Sequence, residues 1–103
     1  MTEKQKMLMG ILYNAEDQAL IEERNHAKSL TRQFNEHWED KGHRNYLIGQ
    51  IFGSLGQNVH LEAPIYLDYG YRTTIGSDFF SNFNLTILDG GGVEIGRSEE
   101  HTS

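Results

Sequence analysis

A six-residue spacing of apolar and small side chains runs through the second half of the chain and limits its fold more than any other feature. From residue 59 onward the two-residue alternation of an ordinary strand is missing, and one ladder consists of Ile75, Ser81, Ile87 and Val93. The spacing predicts a prism-shaped β-solenoid, in which each flat face carries one short strand per coil and one aliphatic side chain points inward. A short β-meander with glycine turns would give the same pattern, so both folds stay open.

The half of the chain before Gly53 has a helical pattern instead. It is charged and poor in glycine, and apolar residues recur at helical spacing at Leu20, Ala27, Leu30, Phe34 and Trp38. This spacing predicts an amphipathic helix, with Asn14 or Asp17 as its N-cap. After a polar break at residues 40–42, a second short helix is expected to end at Gly53, and residues 7–13 are expected to form a helical turn. We expect Trp38 and Tyr46 to pack where the two halves meet.

Charge and cysteine content exclude several classes of function. The formal net charge of -6 argues against a nucleic-acid partner, because nucleic-acid binders concentrate Lys and Arg on one face. The chain has no cysteine, so it can form neither a disulfide nor a zinc-thiolate site, and a cytoplasmic location is expected. No run approaches the ~18 apolar residues of a membrane span, so no membrane partner is expected. The histidines lack spacings such as His-x-x-x-His, so no metal site is predicted.

Two groups of short segments carry a family resemblance. The first is Lys6-Met7 followed by Gly10-Ile11-Leu12-Tyr13. The second consists of Phe52-Gly53-Ser54-Leu55-Gly56, Glu62-Ala63-Pro64, Asp68-Tyr69-Gly70-Tyr71, Ile75-Gly76, Phe79-Phe80-Ser81-Asn82-Phe83-Asn84 and Ile87-Leu88-Asp89. In order and spacing, these segments resemble the maltose and galactoside O-acetyltransferases, a family of hexapeptide-repeat acyltransferases, over about residues 4–96.

The resemblance implies an α+β fold in which amino-terminal helices pack on the first coils of a left-handed parallel β-helix. Residues 1–56 would form the helical segment of the maltose acetyltransferase type, and residues 57–96 would begin the hexapeptide-repeat β-helix. The last seven residues, 97–103, resemble the translation of a sequencing-library adapter, and we expect them to be a non-native tail; the alternative is a real polar tail of the protein.

The resemblance also implies an acetyl-CoA-dependent O-acetyltransferase acting on maltose, glucose or a galactoside, with no metal. Such enzymes are homotrimers that bind acetyl-CoA between neighbouring subunits. Their catalytic histidine stands in a Thr-x-His-Pro context that matches none of His26, His37, His43, His60 and His101. We therefore expect a truncated, inactive fragment whose catalytic histidine lies beyond its end. The alternatives are a non-enzymatic binding or oligomerisation module, or a solenoid enzyme with another acyl donor, an amino-sugar acceptor or a metal-bound hydroxide.

Three candidate site residues follow from their position in the solenoid motifs. Asn82 matches the asparagine expected beside the acceptor hydroxyl, although a solenoid corner would also favour asparagine. Asp68 matches a polar substrate contact, and its alternative is a solvated turn. Phe80 matches an aromatic wall of the sugar site, and its alternative is simple packing.

Three further candidates are supported less directly. Arg24 matches a helix arginine that reaches the sugar in relatives, but it also fits a charged helix surface. Asn14 lies near a substrate-binding aspartate of relatives, and helix capping explains it as well. Asp89 would either face the sugar pocket or bind a backbone amide at a corner.

Overall fold

Three helices occupy the first half of the chain. The computed structural model describes residues 1–96, so the predicted adapter-derived tail lies outside the described residues. Helix α1 spans Glu3–Leu8, α2 spans Gln18–Glu36 and α3 spans Lys41–Ile51. No helix in this described part is both long and apolar enough to cross a membrane.

Local capping determines where these helices begin and end. Thr2 and Gln5 form a capping box, so α1 begins earlier than the turn predicted at residues 7–13. It stops before Gly10, whose φ of 75° is the left-handed conformation that glycine adopts easily. Asp17, and not Asn14, caps α2 by accepting a hydrogen bond from the Ala19 N–H.

The polar break predicted at residues 40–42 is shorter in the structure. Asp40 accepts a hydrogen bond from the His43 N–H and caps α3, so Lys41 and Gly42 are already helical. Because α2 ends at Glu36, Trp38 lies beyond its apolar stripe. Trp38 is 54% exposed and Tyr46 is 62% exposed, so the prediction that both pack at the junction is wrong.

Seven short parallel strands follow the helices. They are β1 Ser54–Leu55, β2 His60–Leu61, β3 Ile65–Leu67, β4 Thr73–Ile75, β5 Phe80–Ser81, β6 Leu85–Ile87 and β7 Val93–Ile95. Strand β1 pairs with β4 and β4 with β7, while β2 pairs with β5 and β3 with β6, all in parallel. Because each strand pairs with the strand three places later, the chain winds into a three-faced solenoid. The prediction of helices followed by short parallel strands is confirmed, and the β-meander is excluded.

The register corrects the predicted six-residue ladder at one corner. Leu55 pairs with Ile75 and Ile75 with Ile95, so one coil takes 20 residues. Val93, the last predicted member of the ladder, pairs with Thr73, and Ile95 pairs with Ile75. Positions 55, 61 and 67 keep the six-residue step, and so do 75, 81 and 87, whereas 67 to 75 and 87 to 95 are steps of eight. We call residues 68–72 and 88–92 the wide corner, because each time the chain passes this corner it uses two more residues than at the other two corners.

One hydrophobic core runs from the helices into the solenoid. Its buried members are Phe34, Leu47, Ile48, Ile51, Phe52, Leu61, Ile65, Leu67, Ile75 and Ile87. The side chain of Asn35 on α2 makes two hydrogen bonds to Ile65 of β3. Its Nδ2 donates to the carbonyl oxygen at 2.9 Å, and its Oδ1 accepts from the N–H at 2.8 Å. The amide therefore satisfies an edge of the first coil that has no strand beside it.

The contact between Gly53 and the second coil gives a test of this coil stacking. A Cβ on Gly53 would lie 2.1 Å from the carbonyl oxygen of Tyr71, a backbone atom that cannot move aside easily. We expect Gly53→Ala to lower the free energy of unfolding by about 1–3 kcal/mol, as overpacked sites do. Urea denaturation measures this change.

Gly49→Ala is the matched control, since Gly49 lies inside α3 and a Cβ there meets nothing within 4 Å. It should raise the free energy of unfolding by up to about 1 kcal/mol through helix propensity. Equal effects of the two substitutions would contradict the close approach at Gly53.

Candidate functional site

The wide corner is built around the carboxylate of Asp89. This side chain is 0% exposed. Its Oδ1 accepts a hydrogen bond from the Tyr69 N–H at 2.8 Å, and its Oδ2 accepts one from the Thr73 hydroxyl at 2.9 Å. Both partners belong to the preceding passage of the chain, so Asp89 joins two coils. A buried carboxylate needs such partners, because leaving it unpaired in the protein interior is costly.

Tyr69 connects this corner to helix α2. Its ring is buried against Met7 and Leu20, and its hydroxyl accepts a hydrogen bond from Arg24 Nη1 at 2.8 Å. The guanidinium carbon of Arg24 also lies 5.7 Å from the centre of the ring. Arg24 Nη2 is 3.8 Å from a carboxylate oxygen of Glu16, which is an ion-pair distance and too long for a hydrogen bond.

Tyr71 lies beside Tyr69 and contacts two charged side chains. The rings of the two tyrosines are perpendicular, with centres 6.0 Å apart. The Tyr71 hydroxyl donates to Glu23 at 2.7 Å, and Lys4 forms a 2.7 Å ion pair with the same carboxylate. The Lys4 ammonium also lies 5.3 Å from the centre of the Tyr71 ring. These contacts attach α1 to α2 and to the wide corner.

The environment changes the acidity of three groups here. Burial raises the pKa of the Tyr71 phenol well above its ordinary value of 10, and the hydrogen bond to Glu23 raises it further. Burial also raises the pKa of Tyr69, against the opposing hydrogen bond from Arg24. That hydrogen bond in turn raises the pKa of Arg24. All three groups keep their protonated forms at neutral pH.

Four of the predicted site residues lie in or next to the wide corner. Asp68 is half-buried, and its negative charge contributes to the raised pKa of both Arg24 and Tyr69. Asn14 lies in the loop before α2, where its side chain accepts from the Glu16 N–H at 3.0 Å. Arg24 and Asp89 are the remaining two. The corner therefore brings Arg24 and Asp68 together, while both Asp89 oxygens are occupied within the chain.

Phe80 and Asn82 lie elsewhere, Phe80 in β5 and Asn82 at the corner that follows it. Phe80 is 59% exposed, and its ring stacks on His60 of the preceding coil with centres 5.2 Å apart. His60 also contacts the carboxylate of Glu62 through Nε2. Asn82 is exposed, and its carbonyl oxygen accepts from the Ser81 hydroxyl. Within one chain, these two residues and the Arg24 group occupy different corners of the solenoid.

Tyr69, Tyr71, Glu23 and Lys4 were not among the predicted site residues. The one signal for the two tyrosines was the string Asp68-Tyr69-Gly70-Tyr71 directly after a strand, where two aromatic residues flank a glycine. A groove of about 480 Å³ lies between α2, the end of α3 and these residues, and its walls include both tyrosines, His26 and Gln50. Among residues 1–96, no three His, Asp or Glu side chains are placed to hold a metal ion.

Comparison with known proteins gives a consistent result. Residues 6–56 match the family model described as the maltose acetyltransferase hexapeptide capping motif. The galactoside O-acetyltransferase of Escherichia coli (strain K12) is 37% identical over 93 residues, which cover 89% of this chain and 46% of that protein. The chain spans about half the length of the curated relatives it matches.

Two solved structures share the fold. A maltose O-acetyltransferase from Clostridium difficile 630 superposes with a TM-score of 0.90 at 43% identity, covering 95% of this chain and 53% of that chain. A hexapeptide-repeat acetyltransferase from Vibrio cholerae O1 biovar eltor, complexed with acetyl coenzyme A, superposes with a TM-score of 0.82 at 30% identity. This second match covers 93% of this chain and 52% of that one.

The raised pKa of Tyr71 can be tested by removing the charge beside it. We expect Glu23→Gln to lower the pKa of Tyr71 toward its ordinary value, because the charged hydrogen-bond acceptor is lost. The near-ultraviolet absorbance of tyrosinate against pH measures the change. Since the folded pKa lies above the unfolded one, the contribution of Tyr71 to stability is complete below about pH 10 and is lost as the pH rises through the folded value.

Glu22→Gln is the matched control for this titration. Glu22 is the neighbouring carboxylate on α2, and it accepts its hydrogen bond from Gln18 and not from a tyrosine. If both substitutions lower the pKa of the tyrosine that titrates at the highest pH by the same amount, the role given to Glu23 is contradicted.

Proposed function

We propose that this chain, which belongs to the maltose and galactoside O-acetyltransferase family, supplies the sugar-binding part of an acetyl-CoA-dependent O-acetyltransferase. The reaction would transfer an acetyl group from the thioester to a hydroxyl of maltose, glucose or a galactoside. The observation that carries the proposal is the match of 95% of the chain to a maltose O-acetyltransferase at 43% identity.

The chemistry of the wide corner fits a sugar. Each sugar hydroxyl both donates and accepts hydrogen bonds, so a site for it needs donors and acceptors side by side. Arg24 offers guanidinium N–H donors, and Asp68 offers carboxylate acceptors next to them.

The second part of the proposed site is the corner with Phe80 and Asn82. Phe80 would form an aromatic wall, and Asn82 would contact the acceptor hydroxyl. Since these residues and Arg24 occupy different corners of one chain, we propose that neighbouring subunits of a homotrimer bring them to the same sugar, with acetyl-CoA bound between the subunits. Asn14 would contribute from the loop before α2, and Asp89 would act from inside the corner.

The remaining parts of the proposal rest on the resemblance together with the charge and composition of the chain. The transfer needs a base for the hydroxyl proton and donors for the developing oxyanion. We propose no metal, a left-handed β-helix, helices that pack over its first coils, a cytoplasmic location, and no nucleic-acid or membrane partner.

Sugar binding by Arg24 is the first test of this proposal. Calorimetric titration of the protein with maltose, glucose and methyl galactoside should show binding of at least one of them. Arg24→Ala should weaken that binding about tenfold or more, as the loss of a hydrogen bond from a charged group does.

Arg32→Ala is the matched control, because Arg32 lies exposed on the same helix and lines a different groove from the one beside Tyr69 and Tyr71. It should leave sugar affinity unchanged. A folded protein that binds none of the three sugars would overturn the proposal, and so would an equal loss in the two arginine variants.

A separate prediction is that these 103 residues catalyse no turnover of acetyl-CoA. None of the five histidines is followed by proline, so none stands in the context of the family's base. We expect the protein to release no coenzyme A from acetyl-CoA above the rate without protein. A thiol reagent measures this release without background, since the chain contains no cysteine. Faster release would instead assign the base to one of these histidines.

A further inference from the structure

We infer that Tyr69 is a positioning residue: Asp89 anchors its backbone N–H, and its hydroxyl holds the guanidinium of Arg24 in place for sugar binding. The inference rests on the proposed function, because it takes Arg24 as the residue that contacts the sugar. It assigns to Tyr69 a role through Arg24 and no contact with the sugar.

The position of Tyr69 is fixed from three sides. Its backbone N–H donates to the fully buried carboxylate of Asp89, and its ring is 5% exposed against Met7 and Leu20. The next residue, Gly70, has a φ of 80°, and a Cβ there would lie 2.6 Å from the Ile51 carbonyl oxygen. The corner is thus pressed against the end of α3, and the phenol oxygen has little freedom to move.

The hydroxyl of Tyr69 is, within residues 1–96, the one hydrogen-bond partner of the Arg24 guanidinium. Nη1 donates to it at 2.8 Å, while Nη2 lies 3.8 Å from Glu16 and makes no hydrogen bond. The remaining N–H groups are therefore available to a ligand. Two carboxylates act on this arginine, those of Glu16 and Asp68, and both raise its pKa.

Those carboxylates explain why the arginine needs a fixed partner. A guanidinium on a flexible stem would turn to form a bidentate pair with a nearby carboxylate, which uses the same N–H groups that a sugar hydroxyl needs. A neutral phenol oxygen holds Nη1 without competing for the other nitrogens. Ordering the side chain before the sugar arrives also removes part of the entropy cost of binding.

Tyr69→Phe tests the inference, because it removes the hydroxyl and keeps the buried ring. We expect the Kd for the sugar that the protein binds to rise roughly 3- to 10-fold, the range for losing one preordered side chain. In an Arg24→Ala background, the same substitution should have no further effect on the Kd. A merely structural role of Tyr69 would weaken binding in both backgrounds, so this double-mutant cycle separates the two explanations.

Tyr71→Phe is the matched control, since the Tyr71 hydroxyl donates to Glu23 and makes no bond to Arg24. It should leave the sugar Kd unchanged. If the wild-type protein binds no sugar, the proposed function and this inference both fail. If it binds sugar and Arg24→Ala weakens binding while Tyr69→Phe does not, the inference alone fails.

A measurement on the wild-type protein covers the case in which Tyr69→Phe does not fold. In nuclear magnetic resonance spectra of the arginine side chains, the Nη1 hydrogens of Arg24 should exchange slowly with water before sugar is added. On titration with the bound sugar, the Nη2 signals should shift while the Nη1 signals keep their position. Fast exchange of all Arg24 hydrogens in the free protein would overturn the inference.

Discussion

The two hydrogen bonds that Asp89 accepts from Tyr69 and Thr73 hold the wide corner together. A carboxylate with no exposure to solvent is stable only with such partners, so its position dictates the positions of both. Tyr69 is then presented to Arg24 on α2 and to Met7 on α1. The position of Tyr69, and with it the hydrogen bond that orients Arg24, thus depends on one buried side chain.

The sequence predicts much of this fold, because the relevant patterns are local. Residues of one face recur at helical spacing in α2, and six-residue steps hold from Leu55 to Leu67 and from Ile75 to Ile87. The eight-residue steps are invisible in that pattern, because apart from the exposed Leu88 the wide corner contains only glycine, polar and aromatic residues, and none of them continues the ladder. The predicted ladder therefore fails at its last step, from Ile87 to Val93. Capping by Asp17 was foreseen only as one of two choices, because Asn14 has the same hydrogen-bonding chemistry.

The candidate site was predictable only in part. Arg24 and Asp68 were identified through family resemblance, and the fold places them at the same corner. Tyr69 was not identified, because its role depends on partners 45 residues earlier and 20 residues later in the chain. The sequence position of Asp89 allowed it either to face the sugar pocket or to bind a backbone amide at a corner. In the structure, its two oxygens accept hydrogen bonds from the Tyr69 N–H and the Thr73 hydroxyl. The separation of Phe80 and Asn82 from Arg24 is likewise a property of the winding and not of any local motif.

The side-chain amide of Asn35 has a consequence for how the molecule assembles. It takes up the N–H and C=O of Ile65 on the side that faces α2, in the place where another strand would bind. Because Asn35 occupies this edge of β3, further coils can stack only on the opposite side of the first coil. The helices leave the ribosome first, and the first coil can form on them as on a finished base. Each later coil then has the preceding one as its template, because a solenoid repeat contacts only its neighbours.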